Sequence, residues 1–218
     1  QMLNSYFRDI IGLDVAEMSD NSITTVELFG KYIIESPYFS ASKSLNFFKG
    51  LGHKIGKVSL LDLEKYSQEG YLFFFLSIFC HTIKDRAQYP RKAYLGDTGF
   101  MYSMSGRIDY GRLFENAVYL ELKRNTPQQY DIHYWKNAQG FEVDFVIREG
   151  LAIKEIIKVT YELSSEKTKD REVRAFAAFA RESGLDHGLI ITKDFEKVEI
   201  VDGIKIHFMP LWKWLLKL

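Results

Sequence analysis

The sequence predicts an α/β chain in two parts: a helical segment closed by a β-ribbon, then a mixed β-sheet with flanking helices. Three observations carry this. From Thr24 to Gln68 apolar residues recur at helical spacing, the pattern of helices that bury one face. After Asp131 they fall instead into short runs, alternating or continuous, bounded by Gly residues and by Asp202-Gly203. Those runs read as strands and a hairpin. Between two of them lies a long amphipathic stretch, Lys169 to Ser183, where a crossover helix between strands of one sheet belongs.

Composition sets the outer bounds. A chain of 218 residues can form one large domain or two modest ones, each with its own core. Its 46% hydrophobic and 15% aromatic content fits a packed protein rather than a disordered one. Lys plus Arg number 29, as do Asp plus Glu, so no global charge draws the chain toward nucleic acid or a membrane surface. One cysteine, Cys80, excludes an internal disulfide framework and fits a reducing cytoplasm. It sits in the longest apolar run, Tyr71 to Cys80, which is too short to span a bilayer. No secretory signal pattern opens the chain. Its first residues already read as mid-domain sequence, so we expect a piece of a longer protein.

In order, residues 1–20 read as a short helix with a linker: Tyr6 to Ile11, then an acidic stretch with Asp14, Glu17 and Asp20. Val26, Phe29, Ile33 and Ile34 mark a first helix capped by Thr24 or Thr25 and ended by Pro37. A second helix fits Ser42 to Lys49, and a third fits Leu60 to Gln68 with Ser59 as cap and Gly70 as stop. An aromatic strand, Tyr71 to Phe79, a polar loop (Lys84 to Gln88) and a return strand, Arg91 to Leu95, complete the segment. Three short helices followed by a β-ribbon is the winged-helix order, a variant of helix-turn-helix. We take 21–104 as this domain.

In that arrangement the third helix enters the major groove and the ribbon tracks the backbone. Lys43, Lys49, Lys54, Lys57 and Lys65 are the groove-side candidates for DNA contact. Lys84, Arg86, Arg91 and Lys92 are the ribbon candidates. Residues 31–104 hold ten basic and six acidic side chains against one and five in the preceding thirty. Opposing this, Asp62, Glu64 and Glu69 on the third helix would repel phosphate, and winged helices also serve as protein-interaction modules. Asp97-Thr98-Gly99 reads as turn chemistry.

Ser103 to Asp109 reads as a linker into a second domain, 105–218. There we expect a helix (Leu113 to Lys123) and three strands (Asp131 to Trp135, Glu142 to Arg148, Ala152 to Thr160) before the crossover helix. After it come an interior parallel strand, Gly188 to Thr192, and a hairpin, Val198 to Ile200 with Ile204 to Phe208. A last helix, Leu211 to Leu218, packs Trp212, Trp214, Leu215 and Leu216 back onto the sheet. The five histidines (His53, His81, His133, His187 and His207) show no metal-ligand spacing. No G-x-x-x-x-G-K-[ST] phosphate loop occurs, so this chain alone should not bind ATP.

The chemistry concentrates on Glu142 and Asp144, which leave one face of a strand that runs into a core. Two carboxylates so placed need a cation, a metal or water. A helical acid (Glu115), then strand acids, then a strand carrying Lys158 and Thr160 is the order of the PD-(D/E)XK nuclease fold. Tyr94-Leu95-Gly96-Asp97-Thr98-Gly99, Gly111 to Asn116, Tyr134-Trp135, Glu142 to Phe145, Lys158 to Leu163 and Arg171 to Ala175 follow one another at familiar intervals. Together they resemble the uncharacterised domain found C-terminal to AAA-type ATPases in bacteria and archaea, over nearly the whole chain. The resemblance implies a winged helix followed by a restriction-endonuclease-like mixed sheet with flanking helices, and an N-terminal ATPase module as partner, joined through residues 1–20 as a hinge; the single cysteine points to a cytoplasmic location.

A working nuclease of that fold holds Mg²⁺ on carboxylates and uses a nearby lysine to orient the attacking water. Here the third element departs. Lys158 stands where a metal-binding Glu or Gln is expected, and Thr160 where the lysine is expected. A cation in the ligand position repels a divalent ion. Two readings follow: Lys158 neutralises Asp144 or Glu142 and the site is structural, or Lys158 is a displaced catalytic lysine while Glu115, Glu142 and Asp144 hold Mg²⁺. The first makes the chain a non-catalytic region that binds DNA or a protein; the second makes it a DNA nuclease.

Overall fold

Ser22 fixes the start of the first long helix. In a computed structural model that describes residues 2–80, 89–163 and 166–217, Ser22 is extended and its Oγ accepts a hydrogen bond from the Thr25 amide at 3.2 Å. It satisfies one of the helix's free first-turn donors. The cap therefore lies two residues before Thr24, and the Thr25 hydroxyl instead meets His53 Nε2 at 3.0 Å. The chain falls into two units, one drawn from 1–77 and 87–108 and the other from 78–86 and 109–218.

The first unit begins with α1 (Met2–Asp9) and a π-helical stretch, Ile10–Ala16. It continues with α2 (Ile23–Glu35), β1 (Tyr38–Phe39), α3 (Ala41–Gly50), α4 (Lys57–Glu69), β2 (Phe73–Leu76), β3 (Arg91–Leu95) and α5 (Gly99–Ser105). Ser40 caps α3 by accepting from the Lys43 amide. α4 starts at Lys57 behind Gly56, with no side-chain cap, so Ser59 lies inside the helix rather than ahead of it. The strands form an antiparallel sheet in the order β1-β3-β2. Phe29, Phe39 and Phe73 fill the core between helices and sheet, with Phe29 edge-on to Phe39 at 5.6 Å.

Of the segment Ser103 to Asp109, the first three residues finish α5 and the rest joins it to the next helix. Gly106 closes α5 in a left-handed conformation (φ 65°) that glycine adopts without strain. Asp109 caps α6 (Tyr110–Asn125) from its carboxylate to the Arg112 amide at 3.0 Å.

In the second unit α6 is followed by β4 (Tyr130–Lys136), β5 (Glu142–Glu149), β6 (Ala152–Val159), α7 (Glu166–Ser183), β7 (His187–Thr192), β8 (Lys197–Val201), β9 (Ile204–Pro210) and α8 (Leu211–Leu215). The six strands lie in the order β4-β5-β6-β7-β9-β8. β4, β5 and β6 form an antiparallel meander, and α7 then carries the chain to β7, parallel to β6. β7 sits between two parallel neighbours, which is why its sequence is continuously apolar. Asp202 and Gly203, both at positive φ, turn β8 into β9 as a two-residue hairpin demands.

Val173, Phe176, Ala177 and Ala180 of α7 pack on Val146, Ile156, Ile190, Ile206 and Phe208, forming the larger core on one face of the sheet. On the other face Tyr119 of α6 stacks with Phe145 at 6.3 Å. The last helix is shorter than expected. Leu211 is buried, but Trp212, Leu215 and Leu216 are exposed, because a five-residue helix can turn only one stripe of positions toward the sheet. Among the described residues no helix is long and apolar enough to cross a membrane.

Candidate functional site

Phe145 of β5 faces Ile157 of β6, so one rung on, Asp144 and Lys158 stand side by side on the face covered by α7. Asp144 is 2% exposed. Its Oδ2 accepts from the Val159 amide at 2.8 Å and lies 3.1 Å from Lys158 Nζ; its Oδ1 lies 3.4 Å from the same ammonium. Lys158 also reaches Glu172 Oε2 of α7 at 3.5 Å. Glu172 is held in turn by its neighbour Arg171, whose Nε and Nη2 donate to Oε1 at 3.0 and 2.6 Å. The result is a charge chain, Asp144–Lys158–Glu172–Arg171, whose formal charges sum to zero. Such balance is what lets ionised groups remain in a desolvated place.

Glu142 and Thr160 have partners of their own. Glu142 pairs with Lys136 across β4 and β5 at 2.9 Å. Glu115 is half-buried on α6. The Thr160 amide bonds to Ile191 O at 2.8 Å, and its hydroxyl donates to Glu162 O. Among the described residues no three His, Cys, Asp or Glu side chains converge as a metal-binding group. The Lys158 ammonium stands beside Asp144, where a cation would bind.

Glu172 was missing from the expected site. Its signal was present, since positions 172, 173, 176, 177 and 180 form one helical stripe, and an acid on an apolar stripe calls for a buried partner.

The basic candidates of the first unit divide by exposure. Lys43, Lys49, Lys54 and Lys57 are exposed, on α3, on α4 or on the turn between them. Lys65 is exposed beside Glu69 at 3.9 Å. Lys84 and Arg86 lie outside the described residues. Of the ribbon candidates Lys92 is withdrawn from solvent, at 4% exposed, and Arg91, half-buried, turns its Nη1 to the buried Glu64 Oε1 at 2.7 Å. The reason is topological. β1 makes β3 the middle strand, whereas a two-stranded ribbon would have left it at an edge. Asp97 accepts from the Gly99 amide at 2.7 Å, as a turn aspartate does.

Burial pushes the Glu64 carboxyl up from its ordinary 4.5 to about 7, against the opposing pull of Arg91. The folded chain therefore binds this proton more tightly than the unfolded one. The resulting stability is complete below pH 4.5 and is lost as pH rises through about 7. Chemical denaturation should show the first unit losing about 1 kcal/mol per pH unit across that window. Glu64→Gln, which mimics the protonated form, should flatten the dependence; an unchanged slope would contradict it.

Residues 110–214 match the model of a family described as a domain of unknown function, DUF4143. Over 223 residues the chain is 30% identical to the uncharacterized protein MJ1544 of Methanocaldococcus jannaschii, a match covering 98% of this chain and 49% of that protein. The chain thus spans about half the length of the curated relative it matches. Among solved structures, a half-complex from a tetradecameric assembly of Thermococcus gammatolerans McrB AAA+ hexamers with bound McrC is similar over 70% of this chain and 34% of that one. That similarity has a TM-score of 0.36 and 13% sequence identity.

Proposed function

We propose that this chain is a non-catalytic interaction region that binds duplex DNA through its first unit and works attached to an AAA-type ATPase module. The observation that carries the non-catalytic part is the Lys158 ammonium, 3.1 Å from Asp144 Oδ2, where a nuclease of this type would need a divalent ion. Binding Mg²⁺ there would require expelling a cation held by two acids. The order α6-β4-β5-β6-α7-β7 supports a degenerate PD-(D/E)XK-like domain. The order α2-β1-α3-α4-β2-β3 supports a winged helix, and exposed Lys43, Lys54 and Lys57 supply phosphate contacts. The ATPase link rests on the motifs that resemble such C-terminal domains, and the half-length match leaves room for another module.

Two measurements test this. Duplex binding should weaken steeply with salt, and the double substitution Lys54→Ala, Lys57→Ala should reduce the log–log salt slope by about two. Calorimetric titration with Mn²⁺ should give the same heat for wild type and Asp144→Asn, and neither should cut DNA. Manganese-stimulated cleavage lost in Asp144→Asn would reinstate the nuclease reading built on Glu115, Glu142, Asp144 and Lys158. One observation favours a protein partner instead. Val58 and Leu61 on α4 are 72% and 40% exposed, and absent or salt-independent DNA binding would shift the assignment to that partner.

A further inference from the structure

The face of the six-stranded sheet away from Asp144 carries a cleft of about 760 Å³ between α6 and α8. That volume suits a small-molecule site. Ile147, Leu189 and Met209 line it from the strands, Leu122 from α6 and Trp214 from α8. An apolar lining of this kind favours a ligand with a hydrophobic body.

One rung of the sheet crosses the cleft and carries three ionisable groups. Ile147 of β5 pairs directly with Glu155 of β6, and His187 of β7 pairs directly with Lys205 of β9. Ile157 opposite Leu189 puts Glu155 beside His187 two residues earlier. Glu155, His187 and Lys205 therefore stand in a row, with Glu155 and Lys205 two strand spacings, about 10 Å, apart. The next rung adds His207 opposite Leu189.

These groups differ in how they are satisfied. Lys154 at the rim is paired with Glu149 at 2.9 Å, and His187 with Asp186 at 2.7 Å. Glu155 is half-buried and Lys205 exposed, and among the described residues no side chain pairs with either as Glu149 and Asp186 do with Lys154 and His187. Burial raises the Glu155 carboxyl above its ordinary range, with His187 opposing, as for a carboxyl short of solvent and of partners. A half-buried carboxyl that meets solvent can exchange a water for a ligand's N–H donor.

We propose that this cleft binds a small, flat organic anion bearing an N–H donor at the far end from its charge. The anionic group pairs with Lys205, the N–H donates to Glu155, and the ring lies on Leu189 and Met209 against Trp214. A bare ion would satisfy Lys205 alone and leave both Glu155 and the apolar lining unused. Phosphate and carboxylate anions share the required chemistry. Adenosine monophosphate and indole-3-acetate each combine a ring, an N–H and one of these anions.

Isothermal titration of the full chain with adenosine monophosphate, with indole-3-acetate and with inorganic phosphate alone tests the assignment, alongside NMR of the His187 and His207 rings. At least one aromatic anion should bind saturably and shift both histidines, with inorganic phosphate much weaker. Lys205→Glu and Glu155→Gln should each weaken binding roughly tenfold or more, with melting temperatures reported to show that both variants fold. Tighter binding of the nucleotide identifies a phosphate ligand, and tighter binding of the indole a carboxylate. No saturable binding of either into the millimolar range would overturn the proposal. So would binding that both variants leave intact, or inorganic phosphate binding as well as the aromatic anions.

Discussion

Lys158→Ala is expected to destabilise the second unit by about 3–5 kcal/mol, the cost of stranding a buried charge. Asp144 is 2% exposed, and without Lys158 its Oδ2 loses the ammonium at 3.1 Å while keeping the neutral Val159 amide at 2.8 Å. Glu172 suffers less, since Arg171 still holds it at 2.6 Å and that guanidinium is largely exposed. Urea denaturation should show the midpoint falling with the slope unchanged. The double change Asp144→Leu, Lys158→Met should recover most of the loss, because apolar side chains of similar volume remove the desolvation penalty together with the pair. A loss below about 1 kcal/mol for Lys158→Ala would mean that the pair is looser, or wetter, than its distances imply.

The second large effect is expected at Gly188, on β7 beneath α7. A Cβ there would run into the Phe176 ring and would lie 2.7 Å from Ile156 Cγ1 and 3.0 Å from the Ile156 carbonyl oxygen. Phe176 is fully buried and Ile156 belongs to the adjoining strand, so neither can yield without moving the core. Gly188→Ala should therefore cost about 3 kcal/mol, the upper part of the range for overpacking. Phe176→Leu should destabilise the wild-type chain yet partly rescue Gly188→Ala, since it withdraws the ring edge that the new methyl meets. Thermal melts of the four-member cycle read this as a coupling between contacting residues. Strict additivity would show that α7 and β7 approach less tightly than these distances imply.

How much was legible in the sequence follows from how local each determinant is. β7, the Asp202-Gly203 hairpin and α7 were readable because a parallel interior strand, a positive-φ turn and an amphipathic stripe are written in consecutive residues. So was the departure at Lys158 and Thr160. β1 was not, since two residues show no period, and missing it put Arg91 and Lys92 on a ribbon edge when β3 is a middle strand. The caps of α2 and α4 lay two or three residues from where hydroxyl side chains alone placed them, because Ser22 and Gly56 supply the extended residue that a helix start needs. Glu172 needed one more inference, that an acid on a buried stripe must answer a base elsewhere. The Glu155, His187 and Lys205 rung needed strand order, which no spacing along the chain reveals.

The chain of four charges through Asp144 also limits how this fold could change its chemistry. Neutralising or reversing Lys158 alone leaves the buried acids Asp144 and Glu172 without their shared cation, and removing Asp144 alone leaves Lys158 with an acid that Arg171 already holds. Every one-residue path toward a metal-holding pocket thus passes through a less stable protein, unless an ion is present to take up the vacated charge as the chain folds. The arrangement works as a latch: easy to keep, and costly to undo a step at a time.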